Sequence, residues 1–153
     1  MAAEACGSGP DVRAEGNGAL ALTLTNEQGR TLELSALRGQ PALLFLFATY
    51  DARSQLALAQ LIAASETEQR TTFLGVAVQP DAKTFLGMFR ETVQPPFELY
   101  FDASGALLQG KTALGALPGI PAFVALDEEG HVRRTFVGVP DRAEVTRLVE
   151  SSL

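Results

Sequence analysis

The side chains best suited to covalent and metal chemistry are scarce in this sequence. Its 153 residues contain one cysteine, Cys6, and one histidine, His131. One cysteine cannot close a disulfide within the chain, and zinc or iron–sulfur sites need several Cys or His ligands. Carboxylate sites for calcium or magnesium stay open, although no Asp-x-Asp-x-Asp-Gly loop is present. We therefore predict no metal site and no cofactor.

The densest group of polar side chains is the acidic triplet Asp127-Glu128-Glu129, which His131 follows closely. Carboxylates and an imidazole are metal ligands in principle. The triplet also stands at a turn between two apolar segments, where charged residues face solvent. We interpret it as a solvated hairpin tip and His131 as a surface or edge-strand residue.

Composition places the chain among soluble globular proteins. Hydrophobic residues make up 46% and charged residues 20%, with a net charge of −6. Basic residues are scattered and Arg133-Arg134 stands isolated, so we predict no nucleic-acid partner. The longest apolar run, 41–48, falls short of the roughly 18 residues of a membrane span. We expect no transmembrane segment.

Residues 1–18 are rich in glycine and poor in large apolar side chains, which predicts a flexible tail before a domain at 19–153. Cys6-Gly-Ser-Gly-Pro-Asp is similar to the start of a mature bacterial lipoprotein, whose first cysteine carries lipid. The preceding Ala3-Glu4-Ala5 does not match a lipobox. Two interpretations stay open: a lipidation site at Cys6, or an unstructured tail with an incidental cysteine.

The elements expected to position these side chains follow from hydrophobic periodicity. Strands are predicted at 20–24, 31–34, 42–47, 73–78, 97–101, 121–126 and 131–137. Helices are predicted at about 54–68, 81–92, 106–114 and 141–151, with Leu56, Phe85 and Met88 among their inward residues. A short helical turn is expected after Ser35 as N-cap.

This order of elements predicts an α/β fold. Continuous apolar stretches, such as 42–47, are typical of central strands covered on both faces. Alternating strands and helices with a closing hairpin predict a mixed central sheet flanked by helices on both faces. The two strands at 20–24 and 31–34 add an N-terminal β-hairpin.

Four local motifs resemble one known family. They are LSALRGQP at 34–41, LFLFATY at 44–50, GIPAF at 119–123 and LDEEGHV at 126–132. These resemble, in order, LSDLRGKP, LNFWATW, GxPTxF and IDxxGxI of the TlpA/redoxin (AhpC/TSA-like) family within the thioredoxin-like superfamily. The resemblance covers about residues 20–152, and it implies a thioredoxin-like fold.

The chain departs from this family at its chemistry. Relatives carry Cys-x-x-Cys after the second motif, whereas this sequence has Asp51-Ala-Arg-Ser54. Thiol–disulfide exchange needs a thiolate that attacks the disulfide and a second thiol that releases the mixed disulfide. An aspartate at a helix start is still favoured by the helix dipole, but it cannot exchange disulfides. The chain is thus identified as a degenerate member with no expected catalytic residues.

The resemblance also implies a peptide-binding groove. Pro121 stands at the family's cis-proline position, where the backbone just before the proline pairs with an extended peptide of the partner. The groove would be formed by Tyr50, Asp51, Ile120 and Pro121. The alternative is that Pro121 simply shapes a turn before a strand. Arg53 either pairs with Asp51 or lies exposed at a helix start.

Three functional hypotheses follow. The first is a redox-inactive binding or scaffolding module with an unknown protein or peptide client, exported to the bacterial periplasm or anchored as a lipoprotein through Cys6. A cytoplasmic location is the alternative. The second is a thiol-disulfide oxidoreductase or peroxidase-type redoxin with noncanonical thiol usage. The third is a copper-handling protein of the SCO type, a family that uses two cysteines and a histidine.

Overall fold

Seven strands and three α-helices follow one another through residues 19–153, the part of the chain that this computed structural model describes. The predicted tail at 1–18, with Cys6, lies outside the described residues. The strands are β1 Thr23–Thr25, β2 Thr31–Glu33, β3 Ala42–Phe47, β4 Thr72–Ala77, β5 Glu98–Phe101, β6 Ala122–Leu126 and β7 Val132–Val137. The helices are α1 Ala52–Thr67, α2 Ala82–Val93 and α3 Arg142–Ser152.

The strands form one mixed sheet in the order β2-β1-β5-β4-β3-β6-β7. Strands β3, β4 and β5 run parallel, and the other neighbouring pairs are antiparallel. β3 is buried at all six positions and lies between β4 and β6. The sequence prediction of a central strand with continuous apolar character is confirmed.

All three helices pack on one face of the sheet, which corrects the prediction of helices on both faces. Leu43, Phe45 and Phe47 of β3 share a buried cluster with side chains of α1, α2 and α3. The connections β3-α1-β4 and β4-α2-β5 both step in the same direction along the sheet. Because such crossovers are right-handed, successive steps in one direction place their helices on the same face.

Irregular segments cover the opposite face, where Leu44 and Leu46 are buried against Leu107 and Leu114. The helix predicted at 106–114 is wrong, since this segment forms successive turns. Its flanking and internal glycines, Gly105, Gly110 and Gly115, all adopt positive φ. A helix this short, with a glycine inside it and one at each end, does not gain enough hydrogen bonds to offset the cost of nucleation. The segment therefore folds as turns that still bury two leucines.

The N-terminal hairpin is present, with Leu24 of β1 paired to Leu32 of β2. Strand β1 is shorter than predicted, although the alternating Leu20, Leu22 and Leu24 are all buried. The next turn is a 3-10 helix, Leu34–Leu37, that begins one residue before the predicted cap Ser35. Ser35 is therefore inside that helix rather than at its N-cap.

Three predicted core residues lie on the solvent side of their helices. Leu56, Phe85 and Met88 are 63%, 42% and 68% exposed. The buried stripe of α1 instead follows Ser54, Ala57, Leu58 and Leu61, and that of α2 follows Ala82, Leu86 and Phe89. These positions repeat at three- and four-residue intervals, which sets the inward face of each helix.

Candidate functional site

The candidate site lies where β3 ends and α1 begins. Residues 48–51 connect the buried end of β3 to the first turn of α1. Asp51 is the N-cap of α1: its Oδ2 accepts hydrogen bonds from the Ser54 amide at 3.0 Å and from the Ser54 hydroxyl at 2.8 Å. A carboxylate at this position satisfies an amide without an intrahelical partner and interacts favourably with the helix dipole.

Ser54 is enclosed rather than presented to solvent. Only 1% of the residue is exposed, and its Oγ also accepts from the amide of Ala48 at 3.3 Å. The hydroxyl therefore ties Asp51 to the end of β3. These three hydrogen bonds among Ala48, Asp51 and Ser54 are called the Asp51–Ser54 lock below. Neither a carboxylate nor an enclosed hydroxyl can attack a disulfide as a thiolate does.

Gln79 also holds this loop, and sequence reasoning missed it. Its Oε1 accepts from the amide of Thr49, while its Nε2 donates to Thr49 Oγ1 at 2.9 Å and to Asp81 Oδ1 at 3.0 Å. No local sequence pattern identifies Gln79, because its role depends on β3 and β4 being parallel neighbours, which brings the residues that follow the two strands to one sheet edge. The carboxylate of Asp81 accepts this hydrogen bond from Gln79 and makes no capping hydrogen bond to α2.

Ile120 and Pro121 lie at the same edge of the sheet as residues 48–51. Ala122 of β6 pairs with Leu46 near the end of β3, so the residues before Ala122 adjoin the start of that loop. The Ile120–Pro121 peptide bond is cis, as the resemblance implies. Pro121 is buried and its carbonyl accepts from the Gly138 amide at 2.8 Å.

The backbone of Ile120 is unpaired at this edge. Within residues 19–153, neither its amide nor its carbonyl has a hydrogen-bond partner. Tyr50, in the loop that follows β3, is 72% exposed, the highest value among the large hydrophobic residues of the described chain. An unpaired backbone segment before β6 and an exposed aromatic residue after β3 thus lie at the same edge of the sheet.

Arg53 does not pair with Asp51. Among the described residues it makes no ion pair, because the Asp51 carboxylate is turned towards Ser54. Arg53 is exposed, and its guanidinium approaches Gly138: Nη2 would lie 3.6 Å from a Cβ built on that glycine. Of the two alternatives open from sequence, the exposed arginine at a helix start is the one observed.

The acidic triplet and His131 lie at the other end of the sheet. Leu126 pairs with Ala42 at the start of β3, which places the β6–β7 turn far from Asp51. Ligand atoms of Asp127, Glu129 and His131 lie within 4.8 Å of one another. Asp127 Oδ1 accepts from the backbone amides of Glu129 and His131, so the triplet has the geometry of a hairpin tip.

Together, the sheet order and the helix that follows β3 define the thioredoxin-like fold. Among solved structures, a DsbF homologue from Corynebacterium diphtheriae matches with a TM-score of 0.74 and 14% identity, over 95% of each chain. A thiol:disulfide interchange protein from Chlorobium tepidum matches with a TM-score of 0.71 and 19% identity, over 88% of this chain and 94% of that one.

A third similar structure is the pneumococcal exposed lipoprotein thioredoxin Etrx1 from Streptococcus pneumoniae. It matches with a TM-score of 0.69 and 19% identity, over 85% of this chain and 98% of its own. No family model and no curated protein matches the sequence. Among the described helices, none combines the length and apolar character needed to cross a bilayer.

Proposed function

We propose that this thioredoxin-like domain binds an extended segment of another protein without exchanging disulfides with it. The observation that carries the proposal is the Asp51–Ser54 lock. At the loop where the family resemblance expects two thiols, the side chains are a helix-capping carboxylate and a serine that is 1% exposed. This arrangement stabilises the loop and leaves no group there that could form a mixed disulfide.

Binding is supported by the unpaired backbone and the exposed side chain at the same sheet edge as the Asp51–Ser54 lock. The unpaired amide and carbonyl of Ile120 can add two hydrogen bonds to an extended peptide, in the manner of strand addition. The exposed ring of Tyr50 offers apolar contact area at low entropic cost, since it has few rotatable bonds. Gln79 keeps the intervening loop ordered before a client arrives, which lowers the entropy lost on binding.

We also propose that the domain works outside the cytoplasm, attached through lipid on Cys6. The support is the lipoprotein-like stretch after Cys6 and the similarity in fold to an exposed lipoprotein thioredoxin. Metabolic labelling of the natural gene product with a palmitate analogue tests this. Label that disappears in the Cys6→Ala variant supports lipidation, and an unlabelled protein in the cytoplasmic fraction contradicts it.

Insulin reduction and peroxide consumption test the absence of thiol chemistry. The unmodified protein should match a protein-free blank, and the Asp51→Cys/Ser54→Cys double variant is the matched positive control. Because the fold already directs these positions to a helix N-terminus, the double variant should acquire measurable exchange activity. Turnover by the unmodified protein that is lost on Cys6→Ala would overturn the proposal.

Peptide binding is tested by nuclear magnetic resonance titration. The probe is a short capped peptide of alternating threonine and valine with a central glutamine, which favours an extended conformation. We expect shifts of the backbone amides at Gly119, Ile120 and Gly138, together with the Tyr50 ring. A Tyr50→Ala variant should bind more weakly while its unbound spectrum stays folded. A spectrum that no extended peptide perturbs at this edge contradicts the proposed function.

A further inference from the structure

Arg53 occupies a position that helix electrostatics disfavour. It lies in the first turn of α1, where the helix dipole is positive and where anions rather than cations are stabilised. The first turn of α1 contains no acidic residue, and the one adjacent carboxylate, that of Asp51, is taken up by Ser54. Arg53 therefore lies at the positive end of the helix dipole and makes no ion pair within residues 19–153.

The guanidinium is placed against the peptide-binding edge. Its Nη2 lies next to Gly138, whose amide bonds to the carbonyl of Pro121, the residue after Ile120. Gly138 has φ +118, a conformation that side chains rarely adopt. Because no side chain stands at this position, the charged group lies directly over backbone that adjoins the unpaired Ile120.

We propose that Arg53 makes the edge selective for extended segments with an aspartate or glutamate side chain facing Gly138. This inference rests on the proposed function and adds the chemistry of the client. A guanidinium presents a planar fork of donors that matches a carboxylate in two parallel hydrogen bonds. An incoming carboxylate could pair with Arg53, and the helix dipole would favour it as well, since no acidic residue follows the Asp51 cap in the first turn of α1.

The test compares capped threonine–valine peptides that differ only in one residue, which is glutamate, glutamine or lysine. That residue is moved along the peptide, so that one register brings it opposite Gly138. The best glutamate peptide should bind about two- to five-fold tighter than its glutamine counterpart, as expected for an exposed ion pair. The lysine peptide should be the weakest, and added salt should reduce these differences.

Two substitutions of Arg53 test whether this side chain, rather than the overall charge of the domain, sets the preference for glutamate. Arg53→Gln should abolish the preference for glutamate, and Arg53→Glu should transfer it to the lysine peptide. Arg142→Gln is the matched control, because Arg142 is also an exposed arginine in the first turn of a helix capped by aspartate. Its side chain lines a surface cavity with Gln60 and Ala63 of α1, a cavity that Gly138 and Ile120 do not line, so its loss should leave the preference intact.

The outcomes distinguish the two proposals. Peptides that bind at Ile120 with equal affinity for all three residues overturn the selectivity and leave the proposed function standing. A glutamate preference that survives Arg53→Gln assigns the selectivity to another group and also overturns the inference. If no peptide binds at this edge, the proposed function fails and the inference fails with it.

Discussion

Replacing Asp51 with alanine removes the acceptor at the centre of the Asp51–Ser54 lock. The variant loses the bond from the Ser54 amide at 3.0 Å and the bond from its hydroxyl at 2.8 Å. Loss of an N-cap costs about 1 kcal/mol, with a range of roughly 0.5–2. Ser54 is 1% exposed, so its hydroxyl also loses a partner in a site from which solvent is excluded. Such a stranded donor costs about 1–3 kcal/mol.

These two contributions share one carboxylate, so we expect a total loss of about 2–3 kcal/mol rather than their full sum. Denaturant unfolding followed by circular dichroism measures it as a lower midpoint with an unchanged slope. Asp51→Asn retains an acceptor and loses only the charge near the helix start, so it should cost about 0.3–1 kcal/mol at low salt. Asp51→Ala should therefore be clearly the less stable of the two variants.

A double-mutant cycle with Ser54→Ala separates the hydrogen bond of the Ser54 hydroxyl from the N-cap bond of the Ser54 amide. If the hydroxyl of Ser54 is stranded in Asp51→Ala, adding Ser54→Ala removes the stranded group. The double variant should then be more stable than the sum of the single losses predicts, by about 0.5–1.5 kcal/mol. Additive losses, or an Asp51→Ala variant as stable as the unmodified protein, would refute the reasoning that this pair secures the loop.

Three further variants test the packing and charges that support the site. Gly75→Ala would place its Cβ 2.6 Å from Cδ2 of the buried Leu99, so it should lower the free energy of unfolding by about 1–3 kcal/mol, and by less in a Leu99→Val background. Glu144→Gln removes the charge of a carboxylate that is 4% exposed and accepts two hydrogen bonds from Arg134 and two from Arg147. It should cost about 2–3 kcal/mol in denaturant melts, below the 3–5 of fully buried pairs because the guanidinium stays partly solvated. Burial, followed by the nearby carboxylate of Glu98, raises the pKa of Tyr100. The unfolded chain therefore releases this proton first, and stability should fall as pH rises above about 10. Unfolding midpoints of Tyr100→Phe should fall less steeply with pH than those of the unmodified protein.

Much of the candidate site was predictable because its residues follow a buried strand in the chain. The apolar stretch of β3 predicts a central strand, and the helix predicted from about residue 54 places Asp51 near a helix start, where the dipole favours an anion. These are local relationships, so the position of Asp51 and Ser54 at a strand-to-helix loop could be inferred from a single segment. The contribution of Gln79 could not, because it depends on which strand lies beside β3.

The predictions that were wrong elsewhere in the chain also depended on tertiary packing. The helix expected at 106–114 has adequate apolar periodicity, but its one internal glycine, the two glycines that flank it and the sheet face beneath it favour turns that bury Leu107 and Leu114. Leu56 and Met88 were placed inward because apolar residues on a helix are ambiguous at the edge of its buried stripe. The direction of each stripe is set by the sheet against which the helix packs.

The amino-acid sequence by itself determined the class of fold, the central strands, the absence of two thiols after β3 and the aspartate that replaces one of them. These depend on composition, periodicity and neighbours in the chain. Only the tertiary structure decided that Ser54 is enclosed, that Arg53 lies over Gly138 and that the backbone of Ile120 is left unpaired. Those facts depend on how separate segments of the chain pack together, and strand pairing brings the end of β3, the start of β6 and the end of β7 to a common edge.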